Sequence, residues 1–157
     1  MKSKPQLDLS EVMVIMPACH PLFASKIIKT DKSIVYDTRM QLTIIDEACM
    51  CFGSDLKGRM QAISALTGNT QYLKPVLVRE WQLTVMQPCM NYKSPKCIWV
   101  NIRNITKDPD IICTKKAYHI QTNEGELVIP LKQSVQSKMK ATMYDIIENL
   151  LYPRLLY

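Results

Sequence analysis

The chain has 157 residues, 47% of them apolar, with a net charge of +6 and a pI of about 9.0. That length supports one domain with a real core, and the apolar share excludes a disordered chain. Four glycines, at 53, 58, 68 and 125, are too few for glycine-loop nucleotide chemistry. The positive balance suits a polyanion partner, most often nucleic acid.

Residues 1–10 read as a loose polar start containing Lys2, Lys4 and Pro5. Residues 11–16 (EVMVIM) are a predicted strand ended by Pro17. Cys19-His20-Pro21 turns the chain, and residues 23–29 lead into a polar turn, Thr30-Asp31-Lys32-Ser33. Residues 33–36 read as a strand, followed by a turn at Asp37-Thr38-Arg39. Leu42 to Phe52 (LTIIDEACMCF) is read as the next strand, with its alternation blurred at the middle. Gly53 allows a sharp turn, and Ser54 is the expected cap of a helix opening with Asp55-Leu56-Lys57-Gly58-Arg59. Met60, Ile63, Leu66 and Thr67 recur at helical spacing, and Gly68-Asn69 is a stop signal. Lys57 and Arg59 stand in the first turns, where cations add to the pull of a helix N-terminus on anions. A backbone-phosphate contact and a strand–turn–helix that only builds core both fit this stretch.

Beyond that helix the chain becomes strand-rich. Residues 74–78 form a short strand whose Pro75 suits an edge or a start. Trp81 to Met86 is another, ended by Pro88. Asn91 to Lys96 (NYKSPK) is a loop. Cys97 to Ile105 (CIWVNIRNI) shows the clearest alternation. Ile98, Val100 and Ile102 fall on one face; Cys97, Trp99, Asn101 and Arg103 fall on the other. That second face suits sugar stacking or groove entry, and equally a half-solvated sheet. Asp108-Pro109-Asp110 turns the chain into a hairpin, residues 111–122 and 126–129 around Asn123-Glu124-Gly125, with Lys115-Lys116 in its first arm. Pro130 ends it. Ser134 is the expected cap of a final helix, residues 135–151, with Met139, Met143, Ile146, Ile147 and Leu150 as its buried stripe and Lys138 and Lys140 off it. The tail, residues 152–157, is apolar enough to pack on the body or on another chain. Residues 1–157 therefore read as a single α+β domain, mainly antiparallel sheet with one central helix and one C-terminal helix.

The six cysteines, at 19, 49, 51, 89, 97 and 113, are the main candidates for chemistry. No charged-then-apolar leader opens the chain and no apolar run reaches a membrane span, so the expectation is a cytoplasmic protein with reduced thiols. One residue separates Cys49 from Cys51, and seven separate Cys89 from Cys97. Neither matches zinc-finger spacing, so buried strand cysteines, no metal and no cofactor are expected. Cys19 and His20 are neighbours on extended chain and point to opposite faces, a poor geometry for a nucleophile and its base. A thiol or metal hydrolase using Cys49, Cys51 and His20 is therefore disfavoured, and no enzyme is expected.

Several stretches together resemble the ComK family of competence transcription factors. They are Ser25-Lys26-Ile27-Ile28, Cys51-Phe52-Gly53-Ser54 with Gly58-Arg59, and Lys74-Pro75-Val76. Pro88 and Ser94, Cys97-Ile98-Trp99-Val100-Asn101, and Pro130 before the last helix continue the pattern. The resemblance spans residues 11–150, and its distinctive parts are the phenylalanine-glycine-serine stretch and the tryptophan strand. It implies a DNA-binding activator of DNA-uptake genes that binds A/T-rich boxes, arranged as paired inverted half-sites, through the minor groove as a multimer. RNA polymerase and an adaptor that delivers the protein to a Clp protease are the further partners it implies. The chain is read as a short member without the family's C-terminal tail. Leu150-Leu151-Tyr152-Pro153 resembles the family's degradation segment but comes early, which argues against adaptor-driven turnover.

Residue type and placement supply the candidate contacts. A narrow A·T minor groove draws guanidinium groups, which nominates Arg59, Arg79 and Arg103. Lys57, Lys93 and Lys96 are nominated for phosphates, and Asn101 for a minor-groove acceptor edge. The competing reading of each is a solvated surface charge. The alternative function is a non-catalytic interaction protein that modulates a longer family member or meets a protease adaptor.

Overall fold

The computed structural model describes residues 7–51, 53–67, 75–79 and 83–148. A single turn of 3-10 helix, Leu9–Glu11, opens the fold. The described strands are β1 (Val12–Pro17), β2 (Ser25–Lys29), β3 (Ile34–Asp37), β4 (Val76–Arg79), β5 (Thr84–Pro88), β6 (Trp99–Asn101), β7 (Ile112–Cys113), β8 (Ala117–Thr122) and β9 (Gly125–Pro130). The described helices are α1 (Gln41–Met50), α2 (Leu56–Thr67), α3 (Ile102–Lys107) and α4 (Gln133–Ile146). None of them is long and apolar enough to cross a membrane. The expected α+β class with antiparallel sheets and a C-terminal helix is what the chain adopts.

The six-stranded sheet runs β3-β2-β1-β6-β5-β4 with every pairing antiparallel. Alternation along its strands feeds two cores, one on each face. Ile15, Ile27, Val76, Val78, Met86 and Trp99 pack against Ile44, Ile45 and Cys49 of α1 and Leu56 and Met60 of α2. Val14, Ile28, Leu77, Val85 and Val100 pack on the opposite face against α3, α4 and the smaller sheet, β7-β8-β9. Two register slips interrupt the sheet, one of them in the β4–β5 pair between Leu77 and Arg79. The β1–β2 register slips between Val12 and Val14, and Met13 joins Val14 in the second core although the two are adjacent. A β-bulge does this, because its extra residue breaks the two-residue period.

Two sequence expectations are corrected here. Leu42 to Phe52 is not a strand; residues 41–50 are α1. Gln41, Ile44, Ile45 and Cys49 are its buried residues, a helical spacing that puts two adjacent isoleucines inside together. The blurred alternation was that helical period. Cys97 to Ile105 is a strand only at Trp99–Asn101. Asn101 stops it: its backbone is extended, and its side-chain oxygen accepts from the Asn104 N–H at 3.3 Å, capping α3. The Cys97 and Trp99 face is not half-solvated either, since α1 and α2 cover it and Trp99 is fully buried.

The caps differ from expectation as well. Asp55, not Ser54, caps α2, accepting from the Gly58 N–H at 2.8 Å. At α4 the cap position is Lys132, with no side-chain hydrogen bond, so Ser134 lies inside the helix. Met139 and Ile146 are buried on α4 as expected and Met143 packs against them, but Ile147 is exposed. Gly53 turns the chain with φ +90°, the left-handed conformation that glycine tolerates best. The β8–β9 hairpin closes with Thr122 opposite Gly125. Expectations placed on residues 1–6, Phe52, the Ile63-Leu66-Thr67 side chains, the stop at Gly68-Asn69, Lys74, Trp81, Leu150 and the tail 152–157 lie outside the described residues.

Candidate nucleic-acid interface

The anion site expected at the start of α2 is already filled by the protein's own carboxylates. Asp46 of α1 accepts from the Leu56 N–H at 2.9 Å, and Asp55 holds the Gly58 N–H. These are the free amides that would have met a phosphate. Lys57 is exposed beside them, while Arg59 is half-buried. The Arg59 charge acts on the Cys49 thiol, which burial pushes up to about 12 despite that pull.

Arg79 ends β4 and lines a cavity of about 160 Å³ between the 3-10 turn, α1 and β5. Asp8 faces it there. The Ser10 hydroxyl holds the Asp8 carboxyl below its usual range, and Arg79 adds a smaller pull. Arg39 lines the same cavity, but its guanidinium is engaged by Asp37 and Glu47. Arg103 sits half-buried in the first turn of α3.

Lys93 and Lys96 lie at the other end of the sheet, in the β5–β6 loop, and both are exposed. Small turns shape the loop: Asn91 accepts from the Lys93 N–H at 3.1 Å and Ser94 from the Lys96 N–H at 3.2 Å. Gln41, from the first turn of α1, donates to the Pro95 and Cys97 carbonyls and pins the loop to the body. The expected cations therefore fall into separate groups. Arg79 and Arg103 stand at one end of the central strands, Lys93 and Lys96 at the other, roughly 15 Å away along β5.

Asn101 leaves the set. It is only 1% exposed. Its amide donates to the Leu9 carbonyl at 3.0 Å while its oxygen caps α3, so the group nominated for a base edge ties the fold together instead. Asn104 works beside it, donating to the Ser10 and Val12 carbonyls.

The expected set of buried strand cysteines is corrected: Cys19, Cys51 and Cys113 are exposed, and Cys49 sits on α1. Cys49 and Cys97 are buried, and burial raises the Cys89 and Cys97 thiols above their ordinary range. A protonated thiol is a weak nucleophile. His20 accepts from the Leu22 N–H through Nδ1 and packs against Phe23 and Tyr36. Among the described residues no group of three metal-ligating side chains converges.

The family model described as ComK protein matches residues 9–147. The chain belongs to the ComK family. No curated protein and no solved structure matches it. ComK is a family of competence transcription factors, so at the level of the family the match points to transcription regulation.

The ComK-like stretches of the sequence occupy architectural positions. Ser25-Lys26-Ile27-Ile28 opens β2, and Ser25 donates to the Arg39 carbonyl at 2.6 Å. Cys51, Gly53 and Ser54 lie between α1 and α2, and Gly58 and Arg59 stand in the first turns of α2. Cys97 to Asn101 threads both cores and ends in the α3 cap. A further group of cations was passed over in the sequence. Lys115 and Lys116 in the β7–β8 turn and Lys132 and Lys140 on α4 are exposed. The available signal was the absence of any acidic residue from 111–123 and from 127–144.

Proposed function

We propose that this ComK-family chain is a cytoplasmic DNA-binding activator of competence genes, acting on A/T-rich boxes through the minor groove as a multimer. The observation that carries this reading is the family match over residues 9–147, joined to the net charge of +6. Lys57, Arg59, Arg79, Lys93, Lys96 and Arg103 are the proposed contacts from the sequence. Arginines serve the narrow groove, where the negative potential of A·T tracts is concentrated; lysines serve phosphates. The division of Arg79 and Arg103 from Lys93 and Lys96 between two ends of the sheet, with Lys57 and Arg59 on α2, fits binding in which different copies present different ends to the duplex. RNA polymerase is the further proposed partner, and a Clp protease adaptor belongs to the alternative reading, a non-catalytic interaction protein.

The test is competition for the purified protein between an A/T-box duplex and a G/C-rich duplex of equal length. The A/T duplex is expected to displace the G/C duplex at a tenfold or greater advantage, and distamycin, which fills A·T minor grooves, is expected to release the protein. Equal competition by the two duplexes contradicts the reading.

A further inference from the structure

We infer that Lys115, Lys116, Lys132 and Lys140 form one surface that holds the phosphates of a nucleic-acid duplex. This deepens the DNA-binding reading and rests on it. Residues 111–123 and 127–144 carry five lysines, those four and Lys138, and no aspartate or glutamate. Some cations elsewhere are matched on the fold, Lys29 with Glu11, Lys32 with Asp108 and Arg39 with Asp37 and Glu47, whereas Lys57, Lys93 and Lys96 show no ion pair among the described residues either; it is the acid-free sequence that sets the five apart. Among the described residues no carboxylate pairs with the five lysines.

A buried glutamine brings the four together. Gln136, only 7% exposed, donates from Nε2 to the Thr114 and Leu131 carbonyls, each at 2.9 Å. Its Oε1 accepts from the Cys113 thiol at 3.0 Å. The Leu131 N–H donates to the Lys116 carbonyl at 2.9 Å. The β7–β8 turn is thereby bound to the start of α4. Lys132, Gln136 and Lys140 are four residues apart and share one flank of the helix. Because Gln136 grips the turn, the helix flank that carries Lys132 and Lys140 one turn before and after it is the flank that meets the turn carrying Lys115 and Lys116. Lys138 is about 200° around the helix from Gln136 and from Lys140, on the opposite side.

The chemistry suits a backbone rather than bases. Ammonium groups hold phosphates as point charges without the bidentate fit that reads a base edge. Lys132 to Lys140 spans about 12 Å of helix, three to four base steps of a duplex. Whereas Asp46 and Asp55 fill the start of α2, α4 has no acidic residue in its first turn, so nothing there opposes an anion.

The experiment is fluorescence anisotropy of a labelled A/T-box duplex of about 30 base pairs across a salt series. Replacing all four lysines by glutamine is expected to make the plot of log K against log salt shallower by about 3–4 units, near 0.9 per phosphate released. Affinity is expected to fall on A/T and G/C duplexes alike. Replacing the four by arginine keeps the slope, and Lys138→Gln leaves it unchanged. A folded four-glutamine variant with the wild-type slope overturns the surface while the DNA reading stands. So does a slope lost as fully in Lys138→Gln as in any single-site variant of the four. If the unaltered protein binds no duplex at all, the DNA reading fails and the surface falls with it.

Discussion

Replacing Trp99 by alanine is expected to lower the free energy of unfolding by about 3–5 kcal/mol. The indole is fully buried in the middle strand of the large sheet, in the core formed with α1 and α2. Register fixes it between Ile15 of β1 and Pro88 of β5, so neighbours on both sides limit how far the void can collapse. The indole N–H meets no acceptor among the described residues. Trp99→Phe therefore removes volume but also an unsatisfied donor, and is expected to cost markedly less than alanine. Urea unfolding of the three proteins checks both results. An alanine variant as stable as the parent, with DNA binding abolished, would put the indole at an interface rather than in the core.

Asn101→Ala is the second large effect, about 2–3 kcal/mol. The substitution removes the α3 cap and one of the two donors to the Leu9 carbonyl, which keeps only the Val12 N–H. Both losses fall where the strand turns into the helix, next to the bonds from Asn104 that secure the start of β1. Asn101→Asp restores the capping oxygen but not the amide donor, and it buries a carboxylate against a carbonyl, so it is not expected to rescue. Measured well below the unfolding temperature, DNA affinity of Asn101→Ala is expected to match the parent. Lost binding at unchanged stability would return the amide to the contact surface.

These two positions also show what the sequence could and could not reveal. The β8–β9 hairpin and the C-terminal helix are legible from turn residues around Gly125 and from a helical apolar stripe, and the first strand from its run of apolar residues ended by Pro17, although both its faces are covered and a bulge breaks its period. The stretch 42–52 was misread because its β-branched residues favour strands, while the adjacent burial of Ile44 and Ile45 is a helical signal. The stretch 97–105 was misread because a strand buried on both faces alternates between two cores, which looks like alternation between core and water. Asn101 belongs to the same error: a polar residue at a strand end is as well explained by a cap as by a ligand. The cations at 57, 59, 79, 93, 96 and 103 are nominated from residue type and placement along the chain. Which of them share a surface depends on strand order, and the β5–β6 turn sends two of them to the far end of the sheet. The lysines around Gln136 come together through a contact between residues 22 apart, which no local pattern announces.

The central claim is that this basic ComK-family domain grips a duplex by its phosphates. Its most direct test is the salt dependence of binding to an A/T-box duplex by the unaltered protein. With four or more phosphates held, affinity is expected to fall about a hundredfold or more between 50 and 200 mM salt. An affinity that hardly changes over that range would contradict the account.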